Sequence, residues 1–363
     1  MNVNYIIVGQ GLAGTLLANE LLMQGKSLVV FNDPDQIKSS DSAAGLINPI
    51  VFRRMTKSWM VDDAFHQMEK TYRQLEVLLH QELYFPNHIY KILEEEEVLL
   101  WKTKAFENGL GDYLELEPQI YQQNTDIANP FGIGRVTKAG RVDIQLLISS
   151  FTAFLREKDF FRNEKLDFEK LEIKSDMVCY KDVAAEKIIF CEGAAASFNP
   201  YFKKLKFKHS KGEILEVRIP GLNLHEIVSK EVFLMPIGFD RYKVGATYRW
   251  DELNFEITAS AREELFAKLK DIIHELPEII YQKVGIRPTM HDRKPVIGFL
   301  EEISQIGIFN GLGSKGVLIG PYLSVQFANY LLGNTTYIHP EININRYFKN
   351  KSNQRNWKNS GRK

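Results

Sequence analysis

The stretch Tyr5-Ile6-Ile7-Val8-Gly9-Gln10-Gly11-Leu12-Ala13-Gly14 constrains this chain more than any other. An apolar run without polar interruption, closed by spaced glycines and followed by Leu16, Ala18, Leu21 and Leu22, predicts a buried parallel strand, a tight turn and a helix. The glycines serve different ends. Gly9 allows the turn, Gly11 lets the backbone approach a pyrophosphate, and Gly14 lets the helix pack on the strand. The unpaired N–H groups of the first helical turn, at Leu12 and Ala13, then face the anion.

Glycine is common, so the pattern needs company. A second apolar strand, Ser27-Leu28-Val29-Val30-Phe31, is closed by Asn32-Asp33, which puts Asp33 19 residues after Gly14. An acid there accepts ribose hydroxyls. Asn32 occupies the alternative register, because element ends read from sequence slip by about 2–4 residues.

Further glycine and small-residue turns recur along the chain. Ala43-Ala44-Gly45 lies in a run of small residues ended by Pro49, where backbone can come close to a ligand. Ala184 to Phe190 reads as a strand ending in Cys191-Glu192-Gly193. Gly307 to Gly316 leads through Gly311, Gly313, Ser314 and Lys315 into an apolar segment, Gly316 to Leu332, which carries Gly320, Pro321, Gln326 and Asn329. It falls short of the ~18 uninterrupted apolar residues of a membrane span and reads as a buried helix.

Between these turns, positions 61, 65, 68, 72, 75, 79 and 83 keep the spacing of a long amphipathic helix, with Asp62 and Asp63 at its positive end. Glu94 to Glu97 reads as a charged surface turn, Gly140 as the start of a helix running to Leu155, and 207–248 as alternating strands. Arg53, Arg54 and Lys57 form either a solvated basic turn or a substrate-facing rim.

The expected architecture is α/β: a Rossmann-like nucleotide domain with a discontinuous α+β substrate domain on a mostly antiparallel sheet. Residues 1–84, 136–205 and 285–345 are assigned to the first, 85–135 and 206–284 to the second, and 346–363 to a basic tail. A chain of 363 residues buries such a core without disulfides or metals. Lysine plus arginine and aspartate plus glutamate are 46 each, so no global charge argues for nucleic acid or an anionic membrane. Two cysteines, Cys179 and Cys191, suit buried thiols and a reducing cytoplasm, and no CxxC or metal site is expected. The first strand begins at once, so no signal peptide is expected.

These stretches, in this order, resemble the flavoprotein family of D-amino acid oxidase, glycine oxidase and sarcosine oxidase. The resemblance is carried by Gly9 to Gly14, Ala43-Ala44-Gly45, Phe190 to Gly193, Gly245-Ala246-Thr247, Gly285-Ile286-Arg287-Pro288 with Asp292, Pro295 to Gly298, and Gly311 to Gly316 with Pro321. It implies non-covalently bound FAD and hydride transfer from the carbon bearing an amine to flavin N5. It further implies that Arg287 binds a substrate carboxylate and that Lys315 stabilises negative charge at N1/C2=O of the reduced ring. Pairing of Arg287 with Asp292 or Glu213 is the structural alternative. Where the family often carries an active-site tyrosine this chain has Phe233, leaving Tyr248 or Tyr90 to supply a hydroxyl.

The same turns also resemble the FAD domain of the bifunctional enzyme that makes aminomethyl-uridine at the tRNA wobble position. On that reading the substrate is the carboxymethyl arm of a modified uridine, favoured by Arg53, Arg54, Lys57 and the basic tail and opposed by the zero net charge. A flavin-binding protein without amine turnover is the third class. A small amine or amino acid is the favoured substrate, without a membrane partner, and the oligomeric state stays open.

Overall fold

The computed structural model describes residues 1–120, 126–275 and 277–348. Two sheets organise it. The first runs Val296–Phe299, Ile306–Asn310, Val183–Phe190, Asn2–Val8, Leu28–Phe31 and Phe161–Arg162, with Leu171–Ile173 and Val178–Tyr180 attached. Its central strands are parallel, with Val8 beside Phe190 and Phe31. Their buried cores, Tyr5 to Val8, Leu28 to Phe31 and Ile188 to Phe190, are apolar because both faces are covered: a helix packs on one, and Leu171, Tyr180 and Phe202 cluster with Ile6, Val8 and Val29 on the other.

The covering helix is α1 (Leu12–Met23), and outside it, packed on the same C-terminal apolar helix as α1, lies α2 (Val61–Leu79), which turns Val61, Ala64, Met68, Tyr72 and Leu75 inward. The Tyr72 hydroxyl donates to the carbonyl of Val317 at 2.9 Å, so a core phenol finds its acceptor.

Glu94 to Glu97 is not a turn. Glu94 caps α3 (Glu95–Glu107), where the Glu97 carboxylate accepts from the Glu94 N–H at 3.1 Å. Four acids gather there because the N-terminal end of a helix is positive, the very place where a solvent-exposed charge run is stable in regular structure. The expected helix start at Gly140 also moves. Residues 140–142 finish the strand Ile133–Val142, and Asp143 caps α4 (Ile144–Glu157) by accepting from the Leu146 N–H at 3.1 Å.

The second sheet has eight strands among the described residues, ordered Glu278–Arg287, Ser210–Arg218, Arg241–Gly245, Phe233–Gly238, Ile227–Ser229, Tyr84–Ile92, Ile133–Val142 and Leu46–Ile47. All its pairings are antiparallel except that of Ile227–Ser229 with Tyr84–Ile92. Residues 46–47, 136–142 and 285–287, assigned from sequence to the nucleotide domain, therefore pair within this sheet. Leu46-Ile47 joins the sheet edge by pairing with Gly140 and Arg141, and the other two segments are the continuations of Ile133–Val142 and Glu278–Arg287, strands that run across the assigned boundaries.

Thr258 caps α5 (Ala259–Leu269), its hydroxyl accepting from the Ala261 N–H at 3.2 Å. The apolar C-terminal segment forms α6 (Gly316–Leu331), against α1 and α2. A Cβ on Gly320 would lie 2.8 Å from Leu16 Cδ1, so glycine permits the close helix pair. No helix of the described residues is long and apolar enough to cross a membrane. Arg346 pairs with Asp292 at 2.9 Å, and residues 349–363, the rest of the expected basic tail, lie outside the described residues.

Candidate active site

The turn after the first strand sits tight against the end of Val183–Phe190. Gly9 has φ +104°, and a Cβ there would lie 2.7 Å from the Cys191 carbonyl oxygen. A Cβ on Gly14 would lie 2.0 Å from the Gly9 carbonyl oxygen, so α1 can start this close to the strand only with glycine. Gly11 differs: its Cβ would meet only the Ser40 Oγ, at 3.3 Å. Space over Gly11 is what a bound pyrophosphate needs.

The segment 38–45 folds over this turn. Ser40 Oγ accepts from the Leu12 N–H at 3.1 Å, and Lys38 Nζ donates to the Gln10 carbonyl at 3.2 Å. Gln145 Nε2, from α4, holds the segment by donating to the carbonyls of Ser40 at 3.0 Å and Ala43 at 2.9 Å. Ser39 donates to the Ile286 carbonyl, tying the segment to the second sheet.

Between the sheets lies a cavity of about 400 Å³. Gly9, Gly11, Leu12, Ala13, Asn32, Ala43, Ala44, Gly45, Gly193, Gly313, Ser314, Lys315 and Gly316 line it, as do Arg287 and Tyr248. Gly14 stays behind the wall, consistent with its packing role. Asp33 does not line the cavity: it accepts from the Asp35 N–H at 3.0 Å and lies 3.8 Å from Lys165. Asn32 takes the inward register. Tyr90 is buried in its strand and does not reach the cavity, while Arg53 and Arg54 are exposed away from it and Lys57 pairs with Asp62 at 2.9 Å.

Arg287 ends the strand Glu278–Arg287, where Pro288 keeps it extended. Its guanidinium donates to the Thr247 carbonyl through both terminal nitrogens at 3.2 Å and to the Lys211 carbonyl at 3.3 Å. It lies 4.0 Å over the ring of Tyr248, which in turn stacks on Trp250. Burial pulls this guanidinium below its usual range, with Tyr248 acting the other way. Neither acid considered from sequence pairs with it. Asp292 holds Arg346, and Glu213 accepts from Thr258 at 2.8 Å and Gln282 at 2.7 Å.

Lys315 precedes α6 and donates from Nζ to the Asn48 carbonyl at 2.6 Å. Burial, without an acid beside it, pushes its ammonium down to about 8. The result is a second desolvated cation on the same cavity. Phe233 and Ile214 supply an apolar wall: a Cβ on Gly245 would lie 2.9 Å from the Phe233 ring and 2.7 Å from Ile214 Cγ2.

Ser39, Ser40, Ser42 and Asn48, from the small-residue run expected to approach a ligand, also line the cavity, and sequence reasoning passed over Gln36, Lys38, Gly212 and a role for Glu192, which line it too. A serine-rich run after the second strand was legible as such. Gly212 was not, because its reason is the Arg287 guanidinium, 2.1 Å from where its Cβ would be.

A family model described as FAD dependent oxidoreductase matches residues 4–329. An uncharacterized oxidoreductase of Bacillus subtilis (strain 168), YurR, is 22% identical, over 92% of this chain and 96% of that protein. The tRNA 5-methylaminomethyl-2-thiouridine biosynthesis bifunctional protein MnmC of Leptospira interrogans is 22% identical over 92% of this chain, which spans 59% of that protein. The crystal structure of glycine oxidase from Geobacillus kaustophilus superposes with a TM-score of 0.80 at 20% identity, over 94% of this chain and 98% of that one.

The cavity suits an extended dinucleotide on its own features: the open space over Gly11, the partnerless buried Oε1 of Gln10, and the cations of Arg287 and Lys315 beyond the nucleotide turn. The chain belongs to the FAD dependent oxidoreductase (DAO) family, and FAD is its cofactor.

Proposed function

We propose that this enzyme oxidises the C–N bond of a small carboxylated amine, either an amino acid or an N-substituted glycine. The observation that carries the reading is Arg287. A guanidinium on a cavity wall, held by two neutral carbonyls and a tyrosine ring with no acid beside it, is a desolvated charge whose fork matches a carboxylate.

The chemistry that bound FAD would supply is that of a hydride acceptor for the carbon that bears nitrogen. The protein's part is orientation and charge. Arg287 fixes the carboxylate, with Tyr248 and two carbonyls fixing Arg287 in turn. Phe233 and Ile214 keep water from the reacting carbon. Lys315 places positive charge at the start of α6, where the helix dipole adds to it. Phe233 offers no hydroxyl, so Tyr248 is the phenol nearest the bound carboxylate on this reading.

The test is anaerobic reduction of the bound flavin, followed by loss of its yellow absorbance, with glycine, other amino acids of both hands, N-methylglycine and iminodiacetate. Arg287→Ala is expected to lose about 30- to 1,000-fold in kcat/KM, or ~2–4 kcal/mol, while keeping its flavin. Unchanged activity per flavin in that variant would overturn the assignment.

A second reading, removal of the carboxymethyl arm from a modified wobble uridine in tRNA, has support of its own. The MnmC relatives align over most of this chain, and the stacked pair Tyr248 and Trp250, half-exposed beside Arg287, offers a surface for a base. Reduction by the modified tRNA, and by none of the small amines, would favour it. A flavin protein without turnover predicts no reduction by either.

A further inference from the structure

FAD carries an adenosine ribose whose hydroxyls require acceptors, and the usual place for one is an acid closing the second strand. This chain has Asn32 there, and the amide is spent on the protein: Oδ1 accepts from the Gln10 N–H at 3.2 Å, and Nδ2 donates to the Asp33 carbonyl at 3.2 Å. Asp33 itself faces Lys165 and is not part of the cavity wall. The nucleotide turn is therefore left without a carboxylate from the strand that normally supplies it.

Only two acids line the cavity among the described residues, Glu192 and Glu231. Glu231 is exposed beyond the Ile227–Ser229 strand of the second sheet, 3.7 Å from Lys268. Glu192 is placed differently. It follows the Val183–Phe190 strand, which pairs directly with Asn2–Val8, and its Cα would lie 3.2 Å from a Cβ on Gly9. That sets it against the glycine turn, at the same edge of the sheet as Asn32.

Its surroundings hold it in place. Gln36 Nε2 donates to the Glu192 carbonyl at 2.9 Å, and Asn310 Nδ2 to the Gly193 carbonyl at 2.9 Å. Of the carboxylate oxygens, Oε2 accepts from Asn199 Nδ2 at 2.7 Å, and Oε1 has no partner among the described groups. Burial pushes the carboxyl up to about 7, with Asn199 acting in the opposite direction. A largely desolvated carboxyl on a cavity-lining residue, with one oxygen held by Asn199 and the other without a protein partner, can accept from a ligand hydroxyl.

We propose that Glu192, and not an acid after the second strand, is the side chain that holds the adenosine ribose of FAD in this protein. The ligand class is a vicinal diol, and the carboxyl oxygen left free by Asn199 is its partner. The acceptor has moved from one strand end to another at the same sheet edge, while the glycine turn between them stays in place.

The experiment measures the dissociation constants of three ligands for the flavin-free protein by quenching of flavin fluorescence. They are FAD, FMN, and an FAD analogue whose adenosine ribose lacks both hydroxyls. Wild type is expected to bind FAD about tenfold more tightly than the dideoxy analogue, the difference expected of one charge-assisted hydrogen bond. Glu192→Gln should lose most of that preference and leave FMN affinity unchanged; Asp33→Asn should retain it. Equal affinity of the wild type for FAD and the analogue would overturn the proposal without any variant being needed. So would a preference that survives in Glu192→Gln and disappears in Asp33→Asn. These are binding measurements, so they stand whatever amine the enzyme oxidises.

Discussion

Gly212→Ala tests the site through the residue that gives the Arg287 guanidinium its room. Gly212 faces Gly285 across the antiparallel pair, and the Arg287 side chain lies over it. A Cβ there would sit 2.1 Å from one terminal nitrogen of Arg287, 2.2 Å from the other and 2.3 Å from Cζ, whereas ordinary contact begins at 3.4 Å. The guanidinium must therefore retreat by about 1.3 Å, the difference between 3.4 and 2.1 Å. Its bonds to the carbonyls of Thr247, at 3.2 Å, cannot survive such a move intact.

The obstacle is the far end of a flexible side chain, and Gly212 carries no left-handed φ, so the backbone tolerates alanine. Thermal stability and flavin content should change little. Binding of a small carboxylate such as acetate, read from its perturbation of the flavin spectrum, should weaken by about 30-fold or more, because a misplacement of ~1 Å is enough to forfeit an oriented contact. An uncharged ligand of similar size, acetamide, should be far less affected. Should Gly212→Ala bind acetate as wild type does, or lose both ligands equally, Arg287 is not the carboxylate clamp.

Lys315→Met should stabilise the flavin-free protein below pH 8 by up to about 3 kcal/mol, since the folded state depresses the ammonium from its usual 10.5 to about 8. The unfolded chain binds the extra proton between those values, so the wild type regains stability as pH rises from 8 to 10.5 and the gap closes; a gap independent of pH in denaturant melts would contradict this. Gly11→Val and Gly14→Ala should separate binding from folding: the first yields soluble protein without flavin, while the second, with a backbone oxygen 2.0 Å from the new Cβ, yields a protein destabilised by more than ~2 kcal/mol. Flavin retained in Gly11→Val would refute the first. Acid precipitation should leave the yellow colour in the supernatant, since Cys191 is buried and its thiol pushed up by burial, and Gly285 and Ile286 offer no thiol beside Arg287. Colour in the pellet would refute that.

Much of this protein was legible in one dimension because its strongest constraints are local. The turn from Gly9 to Gly14 reads from sequence, since a left-handed φ and a close strand-to-helix approach both select glycine within a few residues. The helices α2 and α6 read from periodicity and from apolar length. Arg287 and Lys315 stood out through the family resemblance, and the structure places both on one cavity. Other features needed the third dimension. Whether Asn32 or Asp33 turns inward depends on a strand register that sequence leaves open by one residue, and one residue reverses the face. The acids at 94–97 resemble a solvated turn until the helix they cap is seen. Gly212 is glycine because of a side chain 75 positions away, and Glu192 acquires a role only beside a turn 178 or more residues earlier in the chain. Sequence records the contacts that a residue makes with its near neighbours; a cavity is made by residues that meet only after the two sheets have closed on each other.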